Sequence, residues 1–417
     1  MSSTSIDQLS VKTQSIETLA VRAGIETDTQ HGAITPPLYL SSNYSFADFD
    51  QKRQYDYSRS GNPTRDLLGD ALSDLEGGAG GVITSSGMSA ILSVIQLLNP
   101  EDTLIAPHDC YGGSFRLFKT YASKGLFKLQ FIDQTDEQAF IKALESKPKV
   151  VWIETPSNPL LRVVDIKRLS SLSKEIAGVN TLVVVDNTFL SPIFQKPLSL
   201  GADIVVHSTT KYINGHSDVV GGAVISKTPE IHEDIRWWSN CIGATGAPFD
   251  SFLTLRGLRT LDVRVQRHAK NADKIVNFLV SHPLVEHVYY PGLVGHQGHE
   301  IAKKQQSGFG SMLSFKLKGG VESVKSFLKG LDIFSLAESL GGVESLICHP
   351  ATMTHAAVSP EEQEIAGITD NLLRLSVGIE NVDDLLQDLH NGFAKISNVD
   401  IPLNSITNEE SKLAVSC

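Results

Sequence analysis

The sequence predicts an α/β protein: a doubly wound, mostly parallel sheet of seven strands, followed by a smaller C-terminal α+β domain. Three observations predict it. Between about residues 80 and 227, short apolar runs alternate with helix-like stretches, and strict alternation of this kind builds parallel sheets. Most of the runs are rich in Val and Ile and apolar at consecutive positions, as strands covered on both faces must be. At 417 residues the chain exceeds one simple core, so a second domain is expected.

The strand-like runs fall at 81–84, 103–106, 129–132, 150–154, 182–186, 204–207 and 222–225. Helical patterns lie between them, as at 88–98 and 166–176. The alternation breaks at Gly243-Ala244-Thr245-Gly246-Ala247-Pro248. Beyond it, 249–280 reads as one long amphipathic helix bridging to the second domain. That domain mixes strand patterns at 285–290, 311–317 and 372–377 with helical patterns at 321–328 and 383–395. Residues 1–65 precede the first core strand and carry few periodic segments, which marks an arm. The expected organisation is an arm at 1–65, a large domain at 66–260, a small domain at 261–400 and a poorly ordered polar tail at 401–417. No internal repeat is present.

Composition excludes several function classes. A formal net charge of −11 argues against nucleic-acid binding, which calls for a basic stripe. No apolar run approaches the roughly 20 residues that span a bilayer. The start is polar, contains Asp7 and resembles neither a secretory signal nor a transit peptide, so a cytoplasmic location is expected. Cys110, Cys241, Cys348 and Cys417 are scattered without a CxxC pair, which reads as free thiols. His296 and His299 lie among glycines in what reads as a surface loop, with no carboxylate or cysteine set nearby, so no metal site is expected.

One pairing points to chemistry. Asp186 ends the run Leu182-Val183-Val184-Val185, and Lys211 lies just beyond the run ending at His207. Both therefore sit at the C-terminal edge of the expected sheet, where open α/β sheets collect ligands. An amine that forms a Schiff base and a carboxylate that keeps a pyridine nitrogen protonated are what pyridoxal phosphate requires of a protein. Ser85-Ser86-Gly87-Met88-Ser89-Ala90 follows the first core strand and opens a helix, a place suited to a phosphate. The same residues also fit an ordinary glycine turn with serine caps. Ser208 and Thr210, close to Lys211, add hydroxyls that favour the phosphate. Neither a GxGxxG nor a GxxxxGK motif is present.

These residues belong to a longer set. It includes Tyr57-Ser58-Arg59-Ser60-Gly61-Asn62-Pro63, His108-Asp109-Cys110-Tyr111-Gly112-Gly113 and Glu154-Thr155-Pro156-Ser157-Asn158-Pro159. Lys211-Tyr212-Ile213-Asn214-Gly215-His216, Ala337-Glu338-Ser339-Leu340-Gly341-Gly342 and Leu373-Arg374-Leu375-Ser376 complete it. Through this set, in this order, the chain resembles the PLP-dependent enzymes of cysteine and methionine metabolism from about Thr18 to about Lys395.

The resemblance implies the aspartate aminotransferase-like fold of PLP-dependent transferases. It implies that Lys211 forms the Schiff base, that Asp186 pairs with the pyridine nitrogen, and that Tyr111 stacks on the ring and shuttles protons. Gly87, Met88, Ser208 and Thr210 would hold the phosphate. Tyr57 and Arg59 would reach the phosphate of a neighbouring subunit, within a homotetramer of two dimers. Arg374 would clamp the substrate α-carboxylate, a task suited to a planar fork of donors, with Ser339 and Asn158 positioning that carboxylate and the cofactor edge.

The implied activity is γ-replacement joining an O-acylhomoserine and L-cysteine into cystathionine. The alternatives are γ-elimination of cystathionine and a non-catalytic relative that binds the coenzyme. Glu338 before Ser339 matches the γ-synthases and γ-lyases rather than typical β-lyases. Arg116 would bind a distal carboxylate, either of a succinyl ester or of cysteine, which also favours the γ-synthase. Ser60 stands where close bacterial γ-synthases carry a second arginine, and this leaves acetyl and phosphoryl esters open.

Overall fold

The computed structural model describes residues 14–356 and 359–397. The tail expected at 401–417, Cys417 and the first thirteen residues of the arm lie outside the described residues. Seven strands form the first sheet: β1 (Gly80–Thr84), β2 (Thr103–Pro107), β3 (Lys128–Ile132), β4 (Val150–Glu154), β5 (Leu182–Asp186), β6 (Ile204–His207) and β7 (Gly222–Ser226). Each begins and ends within a residue of its expected place. Their order is β1-β7-β6-β5-β4-β2-β3, and β7 alone runs against the other six. Five strands form the second sheet: β8 (Val285–Tyr289), β9 (Met312–Leu317), β10 (Ser335–Leu336), β11 (Leu346–Cys348) and β12 (Leu372–Ser376), in the order β10-β11-β12-β9-β8.

Fourteen α-helices are described. Before and within the first sheet come α1 (Ile16–Arg22), α2 (Pro63–Glu76), α3 (Gly87–Ile95), α4 (Gly112–Ser123), α5 (Glu137–Leu144), α6 (Ile166–Leu172) and α7 (Ser191–Phe194), and α8 (Pro229–Ile242) directly follows its last strand. After it come α9 (Pro248–Leu258), α10 (Leu261–Ser281), α11 (His299–Gln305), α12 (Gly320–Leu328), α13 (Pro360–Ala366) and α14 (Val382–Ser397). Among the described residues no helix is long and apolar enough to cross a membrane.

The first sheet is buried on both faces, and alternate residues of each strand enter different cores. Ile105, Val151, Ile153, Val183, Val185 and Val205 join the core that continues into the second sheet through Leu313, Phe315, Leu373 and Leu375. Leu104, Val150, Trp152, Val184, Ile204 and Val206 pack on the other face with α3, α4 and α8. There the Trp152 ring meets Phe118 edge-on at 5.3 Å. Trp152 is fully buried, and its truncation to Ala costs about 3–5 kcal/mol.

Two sequence expectations need correction. The helix expected over 249–280 is two helices, α9 and α10, broken at Arg259 and Thr260. At the break the Thr260 hydroxyl and the Arg264 guanidinium both donate to Gly257 O, and Arg264 continues to Tyr212 O at 2.7 Å. These bonds tie the start of the second helix to the loop carrying Lys211. The few periodic segments of the arm include α1, which buries Ala20. Finally, His299 is buried at the start of α11 and bonds Pro291 O through Nδ1, so 291–299 is not simply a surface loop. Burial lowers the partly exposed His296 to about 4.

Candidate active site

The C-terminal ends of β1, β2, β4, β5 and β6 open on one edge of the sheet, and a cavity of about 610 Å³ lies there. The first sheet supplies Gly87, Met88, Tyr111, Arg116, Glu154, Asn158, Asp186, Ser208, Thr210 and Lys211 to its lining. The second sheet and its loops supply Glu338, Ser339 and Arg374.

After β1, Ser86 caps α3 by accepting the Ser89 N–H, while Ser89 Oγ accepts the Ser86 N–H. The first N–H groups of a helix have no intrahelical acceptor, so those of Gly87 and Met88 are free for an anion. Glycine is required at 87 because a Cβ there would lie 2.8 Å from the Ser208 Cβ. After β2, Tyr111 is the N-cap residue of α4, and its N–H donates to Glu154 Oε2 at 2.8 Å. Glycine at 113 leaves room for the Tyr111 ring and the Met88 sulfur, both of which a Cβ would strike.

Asp186 and Glu154 are register partners on β5 and β4. Burial raises the Asp186 carboxyl above its ordinary range, although the Thr188 hydroxyl and N–H and the nearby His207 each pull it down. Burial and the charge of Asp186 push Glu154 well up. Thr188 also ties the strands together: its N–H donates to Asp186 Oδ1 at 3.0 Å, and its Oγ1 accepts the Ser208 N–H at 2.9 Å. The Thr210 hydroxyl donates to Gly221 O and accepts the Gly221 N–H, so it is engaged by the backbone.

Lys211 Nζ donates to Ser339 Oγ at 2.7 Å, across from one sheet to the other. Burial, aided by the Arg374 charge and opposed by Glu338, lowers the ammonium from 10.5 to about 8. Ser339 holds φ at +80°, a left-handed conformation uncommon outside glycine, and this turns its hydroxyl and carbonyl to different partners. Arg374 is 2% exposed. Its Nη1 donates to Asn158 Oδ1 and its Nη2 to Ser339 O, both at 2.9 Å, while the buried Nε has no partner. Arg116 is exposed on α4 at the cavity wall and makes no ion pair among the described residues.

Tyr57 and Arg59 are not brought to this cavity. Arg59 is exposed and donates to the Asn240 carbonyl and side chain at 2.8 Å. Ser60 Oγ bonds Asp56 Oδ1. The residue that sequence reasoning missed is Glu154. Its signal was the same as that of Asp186, a carboxylate closing an apolar run, and the two sit side by side.

The sequence profile of the Cys/Met metabolism PLP-dependent enzymes matches residues 17–394. The chain is 56% identical over 377 residues to cystathionine gamma-synthase of Escherichia coli, covering 90% of this chain and 97% of that one. It is 46% identical over 380 residues to cystathionine beta-lyase of Coxiella burnetii, covering 91% and 97%. The crystal structure of cystathionine gamma synthase from Xanthomonas oryzae pv. oryzae, in complex with aminoacrylate and cysteine, superposes with a TM-score of 0.91 at 58% identity, covering 92% of this chain and 99% of that one. With a match of this extent, the chain belongs to the Cys/Met metabolism PLP-dependent enzyme family, whose cofactor is pyridoxal phosphate.

Proposed function

We propose that the chain catalyses γ-replacement as a cystathionine γ-synthase, joining an O-acylhomoserine to L-cysteine to give cystathionine. The observation that carries this reading is one cavity holding two guanidinium groups, Arg374 and Arg116, together with the amine of Lys211. A succinyl ester of homoserine has two carboxylates, one for each. The similarity to γ-synthases at 56–58% identity supports the same activity.

The residues present fit pyridoxal phosphate. Gly87, Met88 and Ser208 form a cradle that a side chain at 87 would fill, with Thr210 beside it. Asp186 offers a half-buried carboxylate for the ring nitrogen, Tyr111 a ring face, Asn158 an amide at the ring edge and Lys211 the amine. When bound, the coenzyme supplies an electron-withdrawing ring that stabilises negative charge on the substrate carbons.

The chain's own groups do the rest. Arg374 holds the α-carboxylate, since its fork is fixed by Asn158 and Ser339 and its Nε still lacks a partner. With its ammonium lowered to about 8, Lys211 presents a useful neutral fraction near neutral pH. Its Nζ takes the Cα proton and then a second proton from Cβ, guided by the Ser339 hydroxyl at 2.7 Å; the acyloxy group leaves Cγ as a carboxylate, the cysteine thiolate takes its place there, and Nζ returns the protons. Glu338 moderates the loss of charge at Lys211. Tyr111, its backbone fixed by Glu154, is placed to pass a proton through its phenol. Arg116 favours the succinyl ester.

The reading includes a homotetramer of two dimers in which the arm crosses to a neighbour. Phe49 and Leu40 of the arm are 94% and 67% exposed in the single chain, an apolar surface that a second copy would cover.

The test is incubation of the PLP-loaded protein with O-succinyl-, O-acetyl- and O-phosphohomoserine, with and without cysteine. Cystathionine formed fastest from the succinyl ester is expected. Cystathionine breakdown to 2-oxobutanoate outpacing its synthesis would replace this reading with a γ-lyase.

A further inference from the structure

Behind the cavity, on the opposite face of the first sheet, lies a buried ionisable pair that the chemistry above does not use. Val206 lines the cavity, so the next residue of β6, His207, points the other way, into the core shared with α2. There its Nε2 meets Glu76 Oε1, at the end of α2, at 2.6 Å. Both side chains are 0% exposed. Asn187, the residue after Asp186, donates from Nδ2 to the same Glu76 oxygen at 2.9 Å and to Gln195 O at 2.8 Å. Gln195 Nε2 in turn donates to Asn187 Oδ1 and to Thr155 O.

One polar network therefore grips the residues at the ends of β4, β5 and β6 from behind: Thr155, Asn187 and His207. Their immediate neighbours Glu154, Asp186 and Ser208 line the cavity in front. Glu76 Oε2 and His207 Nδ1 find no protein partner.

A carboxylate taken wholly out of water is costly unless a charge or a proton answers it, and a buried ion pair contributes little to stability over an apolar pair of the same volume. His207 is the only ionisable group within ion-pairing distance of Glu76 among the described residues. The His207 imidazole also faces Asp186 through the thickness of the sheet.

We propose that Glu76 and His207 are positioning residues: a buried hydrogen-bonded pair that fixes the ends of β5 and β6 and keeps the Asp186 carboxylate ionised toward the coenzyme ring. The idea deepens the cofactor reading and rests on Asp186 facing the ring nitrogen. The ionisable groups around Asp186 are Glu154 beside it, Cys110 on the loop after β2 and His207 behind, with Lys211 lining the same cavity and Asp109 next to Glu154 and Cys110. Among these, His207 favours the charged form of Asp186, after the Thr188 hydrogen bonds.

The test uses the full chain loaded with 15N-labelled pyridoxal phosphate and compares wild type with Glu76→Gln and His207→Gln. Gln is nearly isosteric with Glu76 but cannot carry its charge. Both variants are expected to move the ring-nitrogen resonance toward that of neutral pyridine. Coenzyme affinity is expected to fall about tenfold, the equivalent of one pKa unit at Asp186. A resonance identical to wild type at saturating coenzyme, with only the apoprotein melting temperature lowered, would show mere packing and overturn the proposal. Asp186→Asn separates the two readings, because it must lose the protonated signal whatever Glu76 does. Should it keep that signal, Asp186 is not the ring's partner and the proposal falls with that premise.

Discussion

The two sheets build their walls of the cavity by different rules. On the seven-stranded sheet nearly every functional side chain lies at or just after the C-terminal end of a strand: Gly87 after β1, Tyr111 after β2, Glu154 closing β4, Asp186 closing β5 and Lys211 after β6. On the five-stranded sheet Arg374 sits in the middle of β12, paired with Ser314 and Cys348, and Ser339 lies in the bend between β10 and β11. The first wall is placed by topology. The second is placed by a few side-chain hydrogen bonds that cross the gap, Lys211 to Ser339 and Arg374 to Asn158. Coenzyme binding should therefore depend on the first wall and substrate recognition on the second.

The largest effect tests the first wall. Lys211→Ala should lower turnover by about four orders of magnitude, the upper range for a positioned acid–base group, and abolish borohydride labelling at that position. Arg374→Lys tests the second wall. Lysine cannot span Asn158 Oδ1 and Ser339 O as a fork, so KM for the homoserine ester should rise roughly 100-fold. If the coenzyme dissociation constant rose as far, the division between the walls would be wrong.

A pH titration probes the contact between them. Lys211 titrates at about 8 when folded against 10.5 ordinarily, so the unfolded chain binds more protons between those values. Apoprotein stability should gain from this group as pH rises through that window, and below about 8 the full penalty remains. Coenzyme uptake by the apoprotein, followed by stopped-flow absorbance, should quicken with pH and level off above about 8. Ser339→Ala should shift that midpoint. The smallest effect is expected of Arg116→Gln, about a tenfold loss of preference for the succinyl over the acetyl ester in kcat/KM.

The same contrast explains what was legible in the sequence. The seven strands of the first sheet announce themselves as Val- and Ile-rich runs, and the residues that follow them inherit their positions, so Asp186 and Lys211 could be paired from pattern alone. β10 and β11, at two and three residues, are too short to show any period, and the bend that carries Ser339 left no trace. The break between α9 and α10 was hidden because Leu258 and Leu261, both buried, keep a helical spacing across it. Glu154 was in plain view at the end of its run and was read only as part of a motif. The Glu76–His207 pair joins residues 131 positions apart, a contact that no local pattern encodes.

The reversal of β7 has a further consequence. Because the chain doubles straight back from β6 to β7 without a crossover helix, the segment bearing Lys211 is moored at both margins, with Thr210 laced to Gly221 and Arg264 clasping the Tyr212 and Ile213 carbonyls. Its main chain is a fixed pier, and only the four methylenes of the lysine swing. Whatever travel the amine needs between substrate carbons must be found in those side-chain torsions, so lengthening the 208–221 segment should slacken the mooring and disable catalysis without disturbing the sheet.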